Sequence, residues 1–224
     1  RQQEFVSDAS HELRTPLAVV QTNLEVVKGS QNETVKSQSY WLDNAYDETL
    51  RMNKIIEDLL FLARADSGQK ILEKEKLDLS FLLMDVCEKL IPIAANKQLQ
   101  IIANVDENLS IWGDGNKIRQ LMFILIDNAI NYSSPNKVIR VLAKEVKNGA
   151  LIEVIDQGIG ISHKDLNRVF DRFYRADKAR SREQGGTGLG LSIAKWIVDI
   201  HKGRIDIESK EQEGTKVVAF LPFN

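Results

Sequence analysis

The feature that most constrains this chain is an apolar seam recurring in alternating steps of three and four residues. It runs first through Phe5, Ala9, Leu13, Leu17 (or Pro16), Val20, Leu24 and Val27, then through Leu42, Ala45, Thr49, Met52, Ile56, Leu59 and Ala63. That spacing is the period of an α-helix that lays one stripe against other helices. It predicts helices over Arg1 to about Gly29 and about Ser39 to Ala65, separated by the polar GSQNET segment. A lone helical hairpin buries too little surface, so pairing with a second copy as a four-helix bundle is the economical solution. The alternative is packing on the chain's own C-terminal part. The full length of both seams favours the dimer.

His11 falls off the seam and is predicted to face outward. Thr15 follows four residues on, about 40° round the helix, so both side chains meet the same visitor. Glu12 is a carboxylate able to orient the ring or take its proton. Pro16 has no N–H, which deprives the Glu12 carbonyl of its helical partner and invites a kink.

The chain has 224 residues, 43% apolar and 28% charged, enough for one large domain or two small ones. A net charge of −2 gives no electrostatic reason to expect a nucleic-acid partner. The single cysteine, Cys87, excludes an internal disulfide and fits a reducing compartment. The longest strongly apolar run, Leu121–Ile126, is far short of a membrane span, so no membrane contact is expected of these residues. The chain starts at Arg1 inside a helical pattern and reads as the cytoplasmic end of a longer receptor.

After Asp66-Ser67-Gly68 and a charged linker, 67–76, the pattern changes to mixed α/β from Leu77. Strands are predicted over Leu77–Leu79, Leu99–Val105, Leu109–Trp112, Val138–Val146 and Ala150–Asp156. Helices are predicted over Phe81–Ala95, Gly115 to Tyr132, and Ser162–Phe170, the last capped by Ser162. A polar stretch, Arg175–Gly186, precedes a helix running to His201. Strands Arg204–Ser209 and Thr215–Leu221 close a sheet with helices on one side.

Three segments of this half carry chemistry. Asp156-Gln157-Gly158-Ile159-Gly160 ends a strand in an acid and two spaced glycines, allowing close backbone approach and acceptance from an adenine amine. Gly185-Gly186-Thr187-Gly188-Leu189-Gly190 opens a helix, where backbone N–H groups can cradle phosphate. It has neither the GK[ST] of a Walker loop nor the spacing of a dinucleotide fingerprint. Asn128, on the helix before Tyr132, offers an oxygen to a hard cation.

HELRTP resembles the phosphoacceptor box of sensor histidine kinases. The Asn128, Gly158/Gly160, Phe170-Asp171-Arg172-Phe173-Tyr174-Arg175 and Gly186–Gly190 segments resemble, in order, the N, first glycine, F and second glycine boxes of their catalytic domain. The resemblance implies an α+β chain: a hairpin forming a dimeric four-helix bundle (1–66), a linker (67–76) and a Bergerat-type ATP-binding α/β sandwich (77–224). It implies that His11 accepts the γ-phosphoryl of ATP, that Glu12 acts as base, and that Thr15 helps remove the phosphoryl later. Asp156 would bind the adenine amine, Asn128 would hold Mg²⁺, and Tyr132 would lie against the base. Arg175, with Arg172 nearby, would reach the terminal phosphates. Gly158, Gly160, Gly186, Thr187, Gly188, Leu189 and Gly190 would shape pocket and lid.

Two positions depart from that pattern. Ile124 stands where the N box usually has an Asn, and Asn131 where a Lys commonly precedes the aromatic. Both remove polar reach to Mg²⁺ or phosphate. Ile124 could keep the γ-phosphate dry, or could simply belong to the core face with Leu121, Leu125 and Ile126.

The function so implied is an ATP-dependent protein-histidine kinase. It passes the phosphoryl to an aspartate of a response-regulator receiver domain, also dephosphorylates that regulator, and acts at the cytoplasmic side of a bacterial cell membrane. The alternatives are a Bergerat ATPase driving conformational change and an interaction module with weak catalysis. HELRTP argues against the first and the glycine boxes against the second.

Overall fold

The computed structural model describes residues 2–30, 32–66, 72–176 and 186–223. Residues 67–71 of the expected linker, and 177–185 of the polar stretch with Gly185, lie outside the described residues. The chain divides into two compact units. One comprises Arg1–Gly68 with Lys178–Leu189, the other Gln69–Asp177 with Gly190–Asn224.

In the first unit, α1 (Gln2–Gly29) and α2 (Ser39–Asp66) pack together. The helix α1 runs through Pro16 as one element. The turn between the helices is tied by Gln38, which is buried and whose Nε2 donates to the Ser30 carbonyl at 2.8 Å. The same carbonyl also accepts from the Glu33 amide at 3.0 Å.

The face turned inward differs from the predicted seam. On α2 the buried residues are Ala45, Ile55, Leu62 and Ala65, whereas Thr49, Ile56 and Ala63 are exposed. On α1, Pro16 and Asn23 are buried in place of Leu17 and Leu24. The inner line on each helix is thus displaced by one position at these turns. A helix apolar over a wide arc offers two seams about 100° apart, and spacing alone does not say which one the hairpin itself uses. Leu17, Leu24, Ile56 and Leu60 remain 45%, 42%, 41% and 53% exposed.

The second unit carries a five-stranded sheet in the order β2-β4-β5-β7-β6. Its strands are β2 (Gln100–Val105), β4 (Val138–Val146), β5 (Gly149–Ile155), β6 (Arg204–Lys210) and β7 (Gly214–Pro222). The β2–β4 pairing is parallel and the rest are antiparallel. A separate ribbon pairs β1 (Glu75–Asp78) with β3 (Ser110–Gly113).

Alternation fills one sheet face with Ile139, Val141, Ile152, Val154, Val217 and Ala219, all buried. Against that sheet packs α4 (Gly115–Tyr132), flanked by α3 (Leu79–Asn96) and α6 (Gly190–Ile200). On α4 the buried set Ile118, Leu121, Met122, Leu125, Ile126, Ala129 and Ile130 marks the core face. Both α3 and α4 begin at an aspartate cap: Asp78 Oδ1 accepts from the Phe81 amide at 2.9 Å, and Asp114 Oδ1 from the Lys117 amide at 3.1 Å.

Two boundaries correct the sequence reading. The ribbon strand starts at Glu75 and stops at Asp78, because Asp78 is recruited as the cap of α3. The helix expected over Ser162–Phe170 is only α5 (His163–Leu166), and Ser162 makes no side-chain cap bond. Its hydroxyl donates instead to the Asp165 carboxylate at 2.6 Å.

Candidate functional site

His11 and Thr15 are both exposed on α1, one turn apart as predicted. They line an open groove of about 520 Å³ with Arg14, Ala18, Val19, Thr22 and Asn23. The Thr15 hydroxyl lies 3.4 Å from the His11 carbonyl, a long bond that leaves its oxygen available as an acceptor. Glu12 is half-buried beside them. Arg14 was not singled out from sequence, although it lies three residues from His11 and so lines the same groove.

In the second unit the Asp156–Gly160 loop is pinned to the C-terminal end of α4. The Ile159 amide donates to the Tyr132 carbonyl at 3.2 Å, and Ser133 bridges Gly158. A Cβ on Gly158 would lie 2.0 Å from that carbonyl oxygen, so only glycine allows the approach. Gly160 adopts a φ of +66° and would collide with the Lys210 carbonyl if it carried a side chain.

The Asp156 carboxylate is buried at the base of this loop. Its Oδ1 accepts from the Gly158 amide at 2.8 Å and the Thr215 amide at 3.2 Å. Neither bond uses Oδ2. Burial pushes the Asp156 carboxyl above the usual carboxylate range, and these two amides offset part of that push.

Sequence reasoning missed what holds the loop from the other side. Ser209 Oγ accepts from the Ile161 amide at 2.8 Å and donates to the Gly214 carbonyl at 2.7 Å, while the Gln212 amide donates to the Ile159 carbonyl at 2.8 Å. A serine on a surface strand carries no signal of that task.

Asn128, Asn131 and Tyr132 are half-buried along one side of α4. Asn131 Oδ1 accepts from the Lys97 ammonium at 2.6 Å. Ile124 is also half-buried, unlike Leu121, Leu125 and Ile126, so it lies off the core face on which one expectation placed it. A Cβ at Gly190 would sit 3.4 Å from Ile124 Cγ2, which sets the start of α6 beside it.

Arg172 and Arg175 lie half-buried on the segment after α5. There the Tyr174 hydroxyl donates to Asp165 Oδ1 at 2.5 Å, and the Arg168 guanidinium lies 4.2 Å from the Tyr174 ring centre. The hydroxyls of Ser162 and then Tyr174 hold the Asp165 carboxyl below its ordinary range. Phe173 has a φ of +60°, a costly conformation for an aromatic residue and one that a functional segment characteristically stores.

Of the second glycine segment, Gly190 belongs to this unit, whereas Gly186, Thr187, Gly188 and Leu189 group with the helical hairpin. Thr187 donates to Asp58 Oδ2 on α2 at 3.1 Å and accepts from the Leu189 amide at 3.2 Å.

Among the described residues no three His, Cys, Asp or Glu side chains cluster to hold a metal.

Comparison with known proteins decides the family. Residues 1–68 match the model of the His Kinase A (phospho-acceptor) domain. Residues 113–224 match that of the Histidine kinase-, DNA gyrase B-, and HSP90-like ATPase. This chain belongs to the histidine kinase family. The resemblance drawn from HELRTP and the glycine segments is borne out, and so is the α+β fold with its ATPase-type sandwich.

The signal transduction histidine-protein kinase ArlS of Staphylococcus aureus (strain USA300) is 38% identical over 217 residues, 96% of this chain and 48% of ArlS. This family member thus spans about half the length of the curated relatives it matches. The fold is that of Acinetobacter baumannii histidine kinase AdeS, with a TM-score of 0.78, 22% identity, and 96% of this chain and 98% of that one covered. It is likewise that of histidine kinase ThkA, solved in complex with response regulator protein TrrA. There the TM-score is 0.81 at 20% identity, with 99% of this chain and 61% of that one covered. Among the described residues, no helix of this chain is long and apolar enough to cross a membrane.

Proposed function

We propose that this chain is the transmitter portion of a sensor kinase that phosphorylates its own His11 from ATP and passes the phosphoryl to an aspartate of a response-regulator receiver domain. The observation that carries the reading is His11 itself: it is exposed on α1 and lines an open groove with Arg14 and Thr15. In this reading residues 1–66 are the dimerisation and phosphotransfer domain, 67–76 the linker and 77–224 the ATP-binding domain.

One neutral ring nitrogen of His11 attacks the γ-phosphorus. An N–P bond forms, the bond to the β-phosphate oxygen breaks, and ADP leaves with that electron pair. The proton on the other ring nitrogen passes to the Glu12 carboxylate. The regulator's aspartate then takes the phosphoryl, the N–P bond breaks, and Glu12 returns the proton. The Thr15 oxygen orients a water for the later removal of phosphate from the regulator.

In the second unit Asp156 Oδ2 accepts from the adenine amine, and the Tyr132 ring lies against the base. Gly158, Gly160 and Gly190 shape the pocket. Arg175, with Arg172, neutralises the terminal phosphates. Asn128 would hold Mg²⁺ through its amide oxygen together with phosphate oxygens, which spreads the charge developing on the departing ADP.

A second copy of the chain completes the bundle. The support is the line of large apolar side chains left outward on both helices, Leu17 and Leu24 on α1 and Leu50, Ile56 and Leu60 on α2. The site of action that goes with this reading is the cytoplasmic side of a bacterial cell membrane, as part of a longer sensor.

The test is phosphotransfer. The purified chain is labelled with γ-labelled ATP, freed of nucleotide and mixed with a response-regulator receiver domain. Label should leave the kinase and appear on the receiver, and a receiver lacking its acceptor aspartate should take none. Label that never leaves the chain for any receiver would sink the relay.

A further inference from the structure

The C-terminal turns of α4, from Ile124 through Asn128 to Tyr132, carry no cation of their own. Ile124, Asn128, Asn131 and Tyr132 are neutral and Asp127 is acidic. The helix ends at Tyr132, so its negatively polarised terminus lies one turn beyond Asn128. A polyphosphate brought to this end by Asn128 would meet a helix terminus of its own sign.

A lysine from another element reaches the same turn. Lys97 is the C-cap residue of α3, and its ammonium donates to Asn131 Oδ1 at 2.6 Å. The backbone around it is held at both ends. The amides of Lys97 and Leu99 donate to the Ala94 carbonyl at 3.0 and 2.9 Å, and the Asn136 amide donates to the Gln98 carbonyl at 2.8 Å. Asn131 follows Asn128 by three residues, about 4.5 Å along the helix and about 60° round it. A lysine has three N–H donors, and the bond to Asn131 uses one of them.

We propose that Lys97 is a nucleotide-phosphate ligand of this kinase: Asn131 holds its ammonium at the C-terminal turn of α4, and the remaining donors meet the phosphate chain of ATP or ADP. Asn131 thereby serves as a positioning residue for a cation supplied by α3. The inference rests on the nucleotide reading given above and adds to Arg172 and Arg175 a further cation, from α3, for the phosphates.

The test is binding of ATP, ADP and adenosine to the whole chain, with Mg²⁺ present, followed by calorimetry. Lys97→Gln should weaken ATP and ADP roughly tenfold, the effect of losing one charged hydrogen bond, and should leave adenosine within about twofold. Lys97→Arg should keep most of the phosphate affinity. Adding Asn131→Lys to Lys97→Gln should restore ATP to within about threefold of the parent, because the cation returns on α4 itself. That rescue is not expected if the Lys97–Asn131 bond merely braces the fold. An unchanged ATP-to-adenosine affinity ratio in Lys97→Gln, or an equal loss for all three ligands, overturns the assignment while leaving the nucleotide reading intact. Failure of the parent chain to bind ATP at all overturns both.

Discussion

Asp156 and Gly158 are bound to each other through the loop they bracket: the glycine amide donates to Oδ1 of the carboxylate at 2.8 Å. With the Thr215 amide at 3.2 Å it occupies Oδ1, and neither bond uses Oδ2. Asp156→Asn should therefore keep the loop folded and change the base that is accepted, because an amide nitrogen turned towards the adenine amine opposes two donors. ATP affinity should fall by about 1–3 kcal/mol, with discrimination between ATP and GTP nearly lost. Competition binding with the two nucleotides measures this. Unaltered preference for ATP would show that the base is read elsewhere.

Gly158 and Gly190 should respond differently to alanine. At Gly158 the new methyl would sit 2.0 Å from a backbone carbonyl oxygen, so loop or helix must shift, at a cost of about 2 kcal/mol or more. At Gly190 the nearest atom is the Ile124 Cγ2 methyl at 3.4 Å, an ordinary contact, and alanine at a helix start costs little. Thermal unfolding of the two variants should separate them clearly.

Ile124 stands beside Gly190 and off the core face. Ile124→Asn should cost only about 1 kcal/mol of stability, less than a fully buried position would. It should strengthen Mg²⁺–ATP binding by about 0.5–1.5 kcal/mol, one net hydrogen bond. A lowered melting temperature with no gain in affinity would assign Ile124 to packing alone.

His201 gives the ATP-binding unit a pH dependence. It is buried, its Nε2 accepts from the Asp114 amide at 3.0 Å, and its Nδ1 lies 2.7 Å from the Ile197 carbonyl as a donor. Burial, the largest cause, lowers its pKa. The fold thus resists a proton that the unfolded chain accepts below about pH 6.5, so stability is lost as pH falls through that range. Melting temperatures between pH 5 and 8 should rise with pH more steeply in the parent than in His201→Asn. Equal slopes would mean that the ring titrates normally.

Much of this was legible in the sequence, for identifiable reasons. The 3.6-residue period placed α4 at its observed bounds, because seven buried residues on one face leave a helix no freedom of register. The Asp156–Gly160 loop was legible because two glycines that must approach backbone closely leave a mark in composition. The inward face of α1 and α2 was not, since both flanks of each helix are apolar and only the partner helix chooses between them. Asp78 read as strand because capping a helix and ending a strand ask for the same residue. Lys97 and Ser209 were invisible, lying far in sequence from the segments they support.

The central claim is that His11 is the group ATP phosphorylates, and mapping the phosphorylated residue tests it most directly. After incubation with γ-labelled ATP and Mg²⁺, the label should be acid-labile and alkali-stable, and peptide mass mapping at neutral pH should place one phosphoryl on His11. His11→Gln should take up no label while binding ATP as the parent does. Stable labelling of that variant, or an acid-stable phosphate on another residue of the parent, would contradict the account.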